Sequence, residues 1–351
     1  MDANATSSAR AEGSAPKSGE FKGFFLSLLM FLAFAAVIYV LMVCAWGLSL
    51  SRTKKQSKTT IGLVLLETAR NLRYPIGGTG YMLREVKHTR DVDILVIGSS
   101  HANRGFDPRI FARAGYKMFN MGSSGQTHVQ TRILLRRYLD RLNPGVILYE
   151  VFPNTFNVDG VESALDIIAN DRNDLSSIRM ALLLNHPKVY NALIYGFFRD
   201  LFHLNPASVT SVKVIGGDTY VSGGYFEKGP RRFKESALDN LPARWRIRKS
   251  QLKAFEDNLS MIRERNIRLV LVQAPWTRGR YLRFQDRAAY DEKMRSYGEY
   301  YNFNKLLIMN DRLHFYDWHH MNQRGVEIFN RALIRRVFTE GRMAEKGTAG
   351  A

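Results

Sequence analysis

The run Asp93-Ile94-Leu95-Val96-Ile97-Gly98-Ser99-Ser100 decides the fold. Four apolar residues in a row stop abruptly at a glycine and two serines, as a buried strand does when it runs into a turn. A strand apolar at every position needs cover on both faces, which parallel sheets obtain from crossover helices. Working outward, Met118-Phe119-Asn120-Met121 reads as a second short strand. A helix over about 127–142, stopped at Asn143-Pro144-Gly145, leads to a third, Val146 to Val151. A helix over about 250–265 precedes a fourth, Arg268 to Gln273. Lys305-Leu306-Leu307-Ile308 reads as a fifth, and a last helix is expected over about 322–338. Short apolar strands alternating with helices predict a doubly wound α/β domain with a parallel sheet. Residues 156–245 interrupt the rhythm with Gly, Pro, Asn and basic residues, and are expected to form an insertion or lid.

The chain has 351 residues, and 51 Lys and Arg against 32 Asp and Glu leave a net charge of +19. A 45% hydrophobic content supplies ample core and excludes wholesale disorder. Its one cysteine, Cys44, excludes an intramolecular disulfide. No charged residue interrupts Gly23 to Leu50, so this run predicts a retained membrane anchor. A cleaved signal peptide would have a shorter apolar region, and Leu41-Met42-Val43 before Cys44 lacks the small residue of a lipidation site. Trp46 and the basic residues Arg52, Lys54, Lys55 and Lys58 are expected at one interface. Arg10, Lys17 and Lys22 precede the anchor and four basic residues follow it, a count that leans towards a cytoplasmic C-terminal side. The expected organisation is a disordered tail over 1–21, a transmembrane helix over 22–50, a juxtamembrane linker over 51–90, a catalytic domain over 91–340 and a flexible tail over 341–351.

In open parallel sheets the ligand site lies beyond the carboxyl ends of the strands. Ser100 follows the first apolar run, Gly122-Ser123-Ser124-Gly125 the second, Pro153-Asn154 the third, and Asp317-Trp318-His319-His320 stands near the C-terminus. A serine becomes a nucleophile when a base takes its proton, an acceptor orients that base and fixed donors meet the developing oxyanion. All these residue types are present, three groups at strand exits and the last near the C-terminus.

The set resembles the SGNH family, also called GDSL-like esterases and lipases, over about 90–340 with the insertion excepted. Gly98-Ser99-Ser100 is similar to the family's first block, which implies Ser100 as the nucleophile. Asn120, Gly125 and Thr127 keep the spacing of its second block, and Asn154 in Phe152-Pro153-Asn154-Thr155 stands at its third. The resemblance thereby implies Gly125 and Asn154, with the Ser100 amide, as the oxyanion hole. Asp317-Trp318-His319-His320 is similar to its Asp-x-x-His block, implying Asp317 as the orienting acid and His320 as the base, with His319 as the rival base. The chain departs from the family at Ser99, where an Asp is usual, and at Phe152-Pro153, where paired glycines are usual. Implied with the family are a three-layer α/β/α flavodoxin-like fold and acyl transfer without a cofactor. The single anchor before such a domain looks like the branch that holds alginate-type O-acetylation proteins and the D-alanyl transfer protein of teichoic acid synthesis. That branch implies a bacterial cytoplasmic membrane location with the domain outside, a polysaccharide acceptor and a membrane-bound O-acyltransferase partner. Its implied topology opposes the lean of the charge count.

Other residues admit two readings. His101 is expected either to touch substrate or to cap a helix, and Trp276, after the fourth strand, to line the pocket or to pack. His314, Asp317, His319 and His320 are metal-ligating types with no second cluster, so no metal is expected. The basic stretches 228–234 and 244–249 suit solvated surface, anionic lipid or an anionic glycan. No recognition motif accompanies the charge, so nucleic acid is not an expected partner. Alternatives to the acyltransferase or esterase are a lipase acting on membrane lipid and an inactive scaffold that binds a glycan or an assembly partner.

Overall fold

A computed structural model describes residues 18–50, 78–204, 214–215, 217–229, 233, 242 and 244–340. Residues 1–17 of the tail expected over 1–21, the tail over 341–351, most of the linker (51–77), the side chain of Trp46 and the basic residues Arg231, Arg232 and Lys234 lie outside the described residues, whereas 18–21 are helical and not a disordered tail.

Five parallel strands form the main sheet: β1 (Ile94–Ile97), β2 (Met118–Asn120), β3 (Val146–Glu150), β7 (Arg268–Gln273) and β8 (Tyr300–Asn302), in the order β2-β1-β3-β7-β8. Between them in sequence, β4 (Val214–Ile215), β5 (Asp218–Val221) and β6 (Tyr225–Lys228) make a small antiparallel sheet. The chain is thus α/β, with a five-stranded parallel sheet and one N-terminal apolar helix. Strand side chains alternate between two cores, as the period of two requires. Leu95, Ile97, Ile147, Tyr149 and Leu271 enter one core, and Ile94, Val96, Leu148, Val270 and Val272 the other.

Helix α1 spans Ser18–Leu50 and α2 spans Gly78–Val86. Next come α3 (Ser100–Gly105), α4 (Pro108–Arg113) and α5 (His128–Leu142). Asn143, in the left-handed conformation at φ 42°, ends α5. The insertion contributes α6 (Val161–Asn170), α7 (Leu175–Leu184) and α8 (Pro187–Leu201). The remaining long helices are α9 (Lys249–Arg263), α10 (Arg278–Arg283), α11 (Arg287–Ser296) and α12 (Gln323–Ile334).

Three expectations are corrected. The fifth strand is Tyr300–Asn302, registered against Leu271 to Gln273, and not residues 305–308. Asn302 caps a helical turn over Phe303–Leu306, which ends the strand, and Ile308 is 96% exposed. An apolar run this short does not distinguish a strand from a turn flanking one. The linker expected over 51–90 includes α2, whose Met82, Leu83 and Val86 are buried in the sheet core. The insertion divides: α6 to α8 pack in a third core with Val129 and Ile133 of α5, while the hairpin β5–β6 covers the sheet edge, where Asn120 N–H donates to the Gly223 carbonyl at 2.7 Å. Covering an edge strand removes a row of open backbone groups.

In helix α1 a 25-residue run, Phe21–Ala45, is long and apolar enough to cross a membrane. Its side chains are exposed along most of that length.

Candidate active site

Strand order reverses between β1 and β3, so their carboxyl ends open a crevice. Ser100 stands at the β1 side of it. The strand leaves through Gly98, at φ 146°, where a Cβ would lie 2.9 Å from the Cβ of Glu150, so the exits of β1 and β3 touch. Ser99 caps α3, its hydroxyl accepting from the His101 amide at 3.3 Å, and this turns Ser100 outward to a half-buried position.

The partner loop is held by backbone pairing on both sides of the Asp317 turn. Phe315 and Met321 form an antiparallel bridge, the Tyr316 amide donates to the His320 carbonyl at 3.2 Å, and the Thr277 hydroxyl donates to the Trp318 carbonyl at 2.8 Å. Inside this loop Asp317 Oδ1 accepts from the amides of His319 and His320 at 3.0 and 2.7 Å. Its Oδ2 lies 2.8 Å from His320 Nδ1, and His320 Nε2 lies 2.9 Å from Ser100 Oγ. Burial would raise the Asp317 pKa, but the hydrogen bond and charge of His320 outweigh it and hold the carboxyl at about 2. Tyr316 stacks on the His320 ring at 5.5 Å and 9°, which restricts its tilt. The structure therefore brings Ser100, His320 and Asp317 into one hydrogen-bonded chain, across 220 residues of sequence.

Asn120 ties the second loop to the serine helix. Its Nδ2 donates to the carbonyls of Ala102 and Phe106 at 2.7 and 3.0 Å, and its Oδ1 accepts from Gly122 N–H at 3.0 Å. Gly125 follows in this loop, half-buried, with the carboxylate of Glu162 beside it. Asn154 lies in a helical turn over Pro153–Phe156, its side chain exposed. Thr155 braces that turn from below, 3.1 Å from His128 Nε2 and donating to the Phe152 carbonyl at 2.6 Å.

The remaining two expected site residues are not at the surface. His101 is 3% exposed, with Nε2 3.1 Å from His319 Nδ1 and its ring 3.9 Å from that of Phe152, so it offers no free nitrogen to a substrate. Trp276 is 6% exposed and packs edge-on against Phe152 and Tyr281. Trp276 thus takes the packing alternative, whereas His101 takes neither expected role: Ser99 caps the helix, and the His101 ring is enclosed by Ser99, Phe152 and His319.

One feature was legible in the sequence only as a departure from the family's paired glycines, and a second escaped it. Phe152 is a platform whose ring contacts His101, His319 and Trp276, so it occupies the space that smaller residues would leave open. Behind the serine, Ser99 Oγ donates to Glu150 Oε2 at 3.3 Å and lies 3.4 Å from His101 Nδ1. A buried polar chain thus runs from Glu150 through Ser99 and His101 to His319. Burial pushes the Glu150 carboxyl up to about 8. Burial, and then the charge of His320, lower both His101 and His319 well below the usual imidazole range. An acid at a strand end beside a serine was the available signal, but a buried partner at 51 residues' separation has no local periodicity to reveal it.

Ring nitrogens of His101, His319 and His320 lie within 4.8 Å of one another, a spacing from which a metal can be held. In this structure their hydrogen bonds are satisfied by each other, by Asp317 and by Ser100. His314 stands apart, accepting from the Asn310 amide at 3.1 Å. Chemically, the arrangement can deprotonate the Ser100 hydroxyl, hold the resulting imidazolium against a carboxylate and return the proton. Compared with known proteins, the chain matches no family model and no curated sequence.

Proposed function

We propose that this chain is a membrane-anchored serine esterase or O-acyltransferase of SGNH type, acting on acyl, most simply acetyl, groups of a cell-envelope or extracellular polysaccharide. The observation that carries this reading is the Ser100–His320–Asp317 chain, with contacts of 2.9 and 2.8 Å, at the switch point of a parallel sheet.

In this mechanism His320 Nε2 takes the proton as Ser100 Oγ attacks the acyl carbonyl carbon. Asp317 holds Nδ1–H and stabilises the imidazolium. The amides of Ser100 and Gly125 and the Asn154 side chain meet the tetrahedral oxyanion. Collapse expels the alcohol, protonated by His320, and leaves an ester on Ser100. Water or a sugar hydroxyl then loses its proton to His320, attacks that ester and frees the serine. No cofactor takes part in these steps.

Helix α1 anchors the domain at a bacterial cytoplasmic membrane, with the catalytic domain on the extracytoplasmic side where such glycans are exposed. A membrane-bound O-acyltransferase is the corresponding acyl supplier. Intact-mass spectrometry after exposure to p-nitrophenyl acetate tests the chemistry: an acetyl adduct mapped to Ser100, absent in Ser100→Ala and in His320→Ala, is expected. Failure of the unaltered protein to form an adduct or to react with a fluorophosphonate would overturn it.

A further inference from the structure

Helix α7 is built with its polarity reversed for a surface helix in water. Leu175, Ile178 and Leu182 are 70%, 36% and 64% exposed, and their spacing of three and four residues places them on one face. The inward face carries Ser177, Met180 and Ala181 instead, with the Ser177 hydroxyl taken by Arg137 at 2.9 Å. Neither Asp nor Glu occurs in α7, and its one charged residue, Arg179, has a stem long enough to lie along apolar surface with its head in a polar layer. The stripe continues at the end of the helix with Leu183, 44% exposed.

The position of this hairpin relative to α1 says what covers it. Tyr39 of α1 donates to Asn191 Oδ1 of α8, Gly47 of α1 lies against the Tyr195 ring, and Val43 packs on the core that α7 and α8 share. At about 1.5 Å per residue, Tyr39 lies about 9 Å inside the Ala45 end of the apolar run. From Asn191 to Tyr195 helix α8 runs in the same sense as α1 from Tyr39 to Gly47. The first turn of α8, the connecting Asn185-His186 and the last turn of α7 therefore lie on the side of Tyr39 nearer the middle of that run.

We propose that the α7–α8 hairpin is a second membrane contact, its apolar stripe lying against the acyl chains of the bilayer that α1 spans. This rests on α1 being a transmembrane helix. An exposed apolar stripe joined side by side to such a helix meets lipid, and the exposed Arg179 beside it suits anionic headgroups. Two contacts fix the tilt and height of the domain above the membrane, which a single helix followed by a linker does not.

Spin-label accessibility in the full-length chain tests this. Leu182→Cys and Ile178→Cys are labelled in a Cys44→Ala background and placed in vesicles of phosphatidylethanolamine and phosphatidylglycerol. Phe31→Cys serves as reference within the apolar run and Ile308→Cys as reference in the domain, with fluorophosphonate labelling of Ser100 reporting that each variant is folded. The ratio of oxygen to nickel-chelate accessibility at 182 and 178 is expected to exceed that at 308 several-fold and to approach that at 31. Lipid-like values at 31 with water-like values at 182 and 178 would overturn the hairpin contact and leave the anchor standing. Water-like values at 31 would instead overturn the anchor, and the hairpin contact with it. Labels at 182 and 178 shielded from both reagents would mean that protein covers the face, and would also overturn it.

Discussion

The imidazole of His319 sets Nδ1 3.1 Å from Nε2 of His101, while its neighbour His320 pairs with the Ser100 hydroxyl. Adjacent residues of the same type thus make different contacts. His320→Ala is expected to abolish fluorophosphonate labelling of Ser100. His319→Ala should retain labelling, slowed by about tenfold or less, since it perturbs only the packing around the base. Equal loss in both variants, measured as labelling rates, would reject the assignment of His320.

Asp317 fixes the His320 tautomer through one oxygen and its own loop through the other. Asp317→Asn is expected to lower kcat on an activated acetyl ester by about two to four orders of magnitude. Because its folded pKa lies at about 2, below the ordinary 3.8, its contribution to stability is present above the ordinary value and lost as pH falls through the folded one. Thermal melts of the unaltered protein and Asp317→Asn should therefore differ in slope between those two values.

Glu150 has the opposite sign. Burial raises its pKa from 4.5 to about 8, so the folded state holds a proton that the unfolded chain releases, and stability falls as pH rises between these values. In Glu150→Gln this fall should be reduced, with melting temperatures that converge on or exceed those of the unaltered protein near pH 8. A variant whose melting temperature tracks the unaltered protein across this range would refute the buried, protonated carboxyl.

Gly224 presses on strand β2: at φ +87° a Cβ there would lie 1.8 Å from the Asn120 carbonyl oxygen. Gly224→Ala must move the β5–β6 hairpin off the sheet edge. A loss of about 3 kcal/mol or more is expected in urea unfolding. Since Asn120 also holds the Ser100 helix, slower acyl-enzyme formation should accompany it.

The strands were legible because a strand covered on both faces must be apolar at every position, and Ile94 to Ile97, Val146 to Glu150 and Arg268 to Gln273 meet that condition nearly throughout. The edge strand Tyr300–Asn302 was not legible, because an edge position tolerates polar tyrosines and asparagine, and the neighbouring leucines offered a stronger but misplaced signal. Ser100, Asp317 and His320 could be named in advance, since a three-residue spacing and a strand exit are local properties. Which histidine faces the serine is not local. It depends on how the Phe315–Met321 loop is pinned to Thr277 and the sheet, and adjacent residues on a turn point in different directions.

What the amino-acid order determined alone was the α/β alternation, the long apolar N-terminal helix and the residue types at each strand exit, all written in local patterns. Tertiary structure decided the rest: that His101 and Trp276 are buried, that the Glu150 carboxyl is buried behind Ser99, and that α7 turns its leucines outward beside α1. Each of these depends on which groups from distant segments exclude water around a side chain. Short-range pattern carries no record of that exclusion.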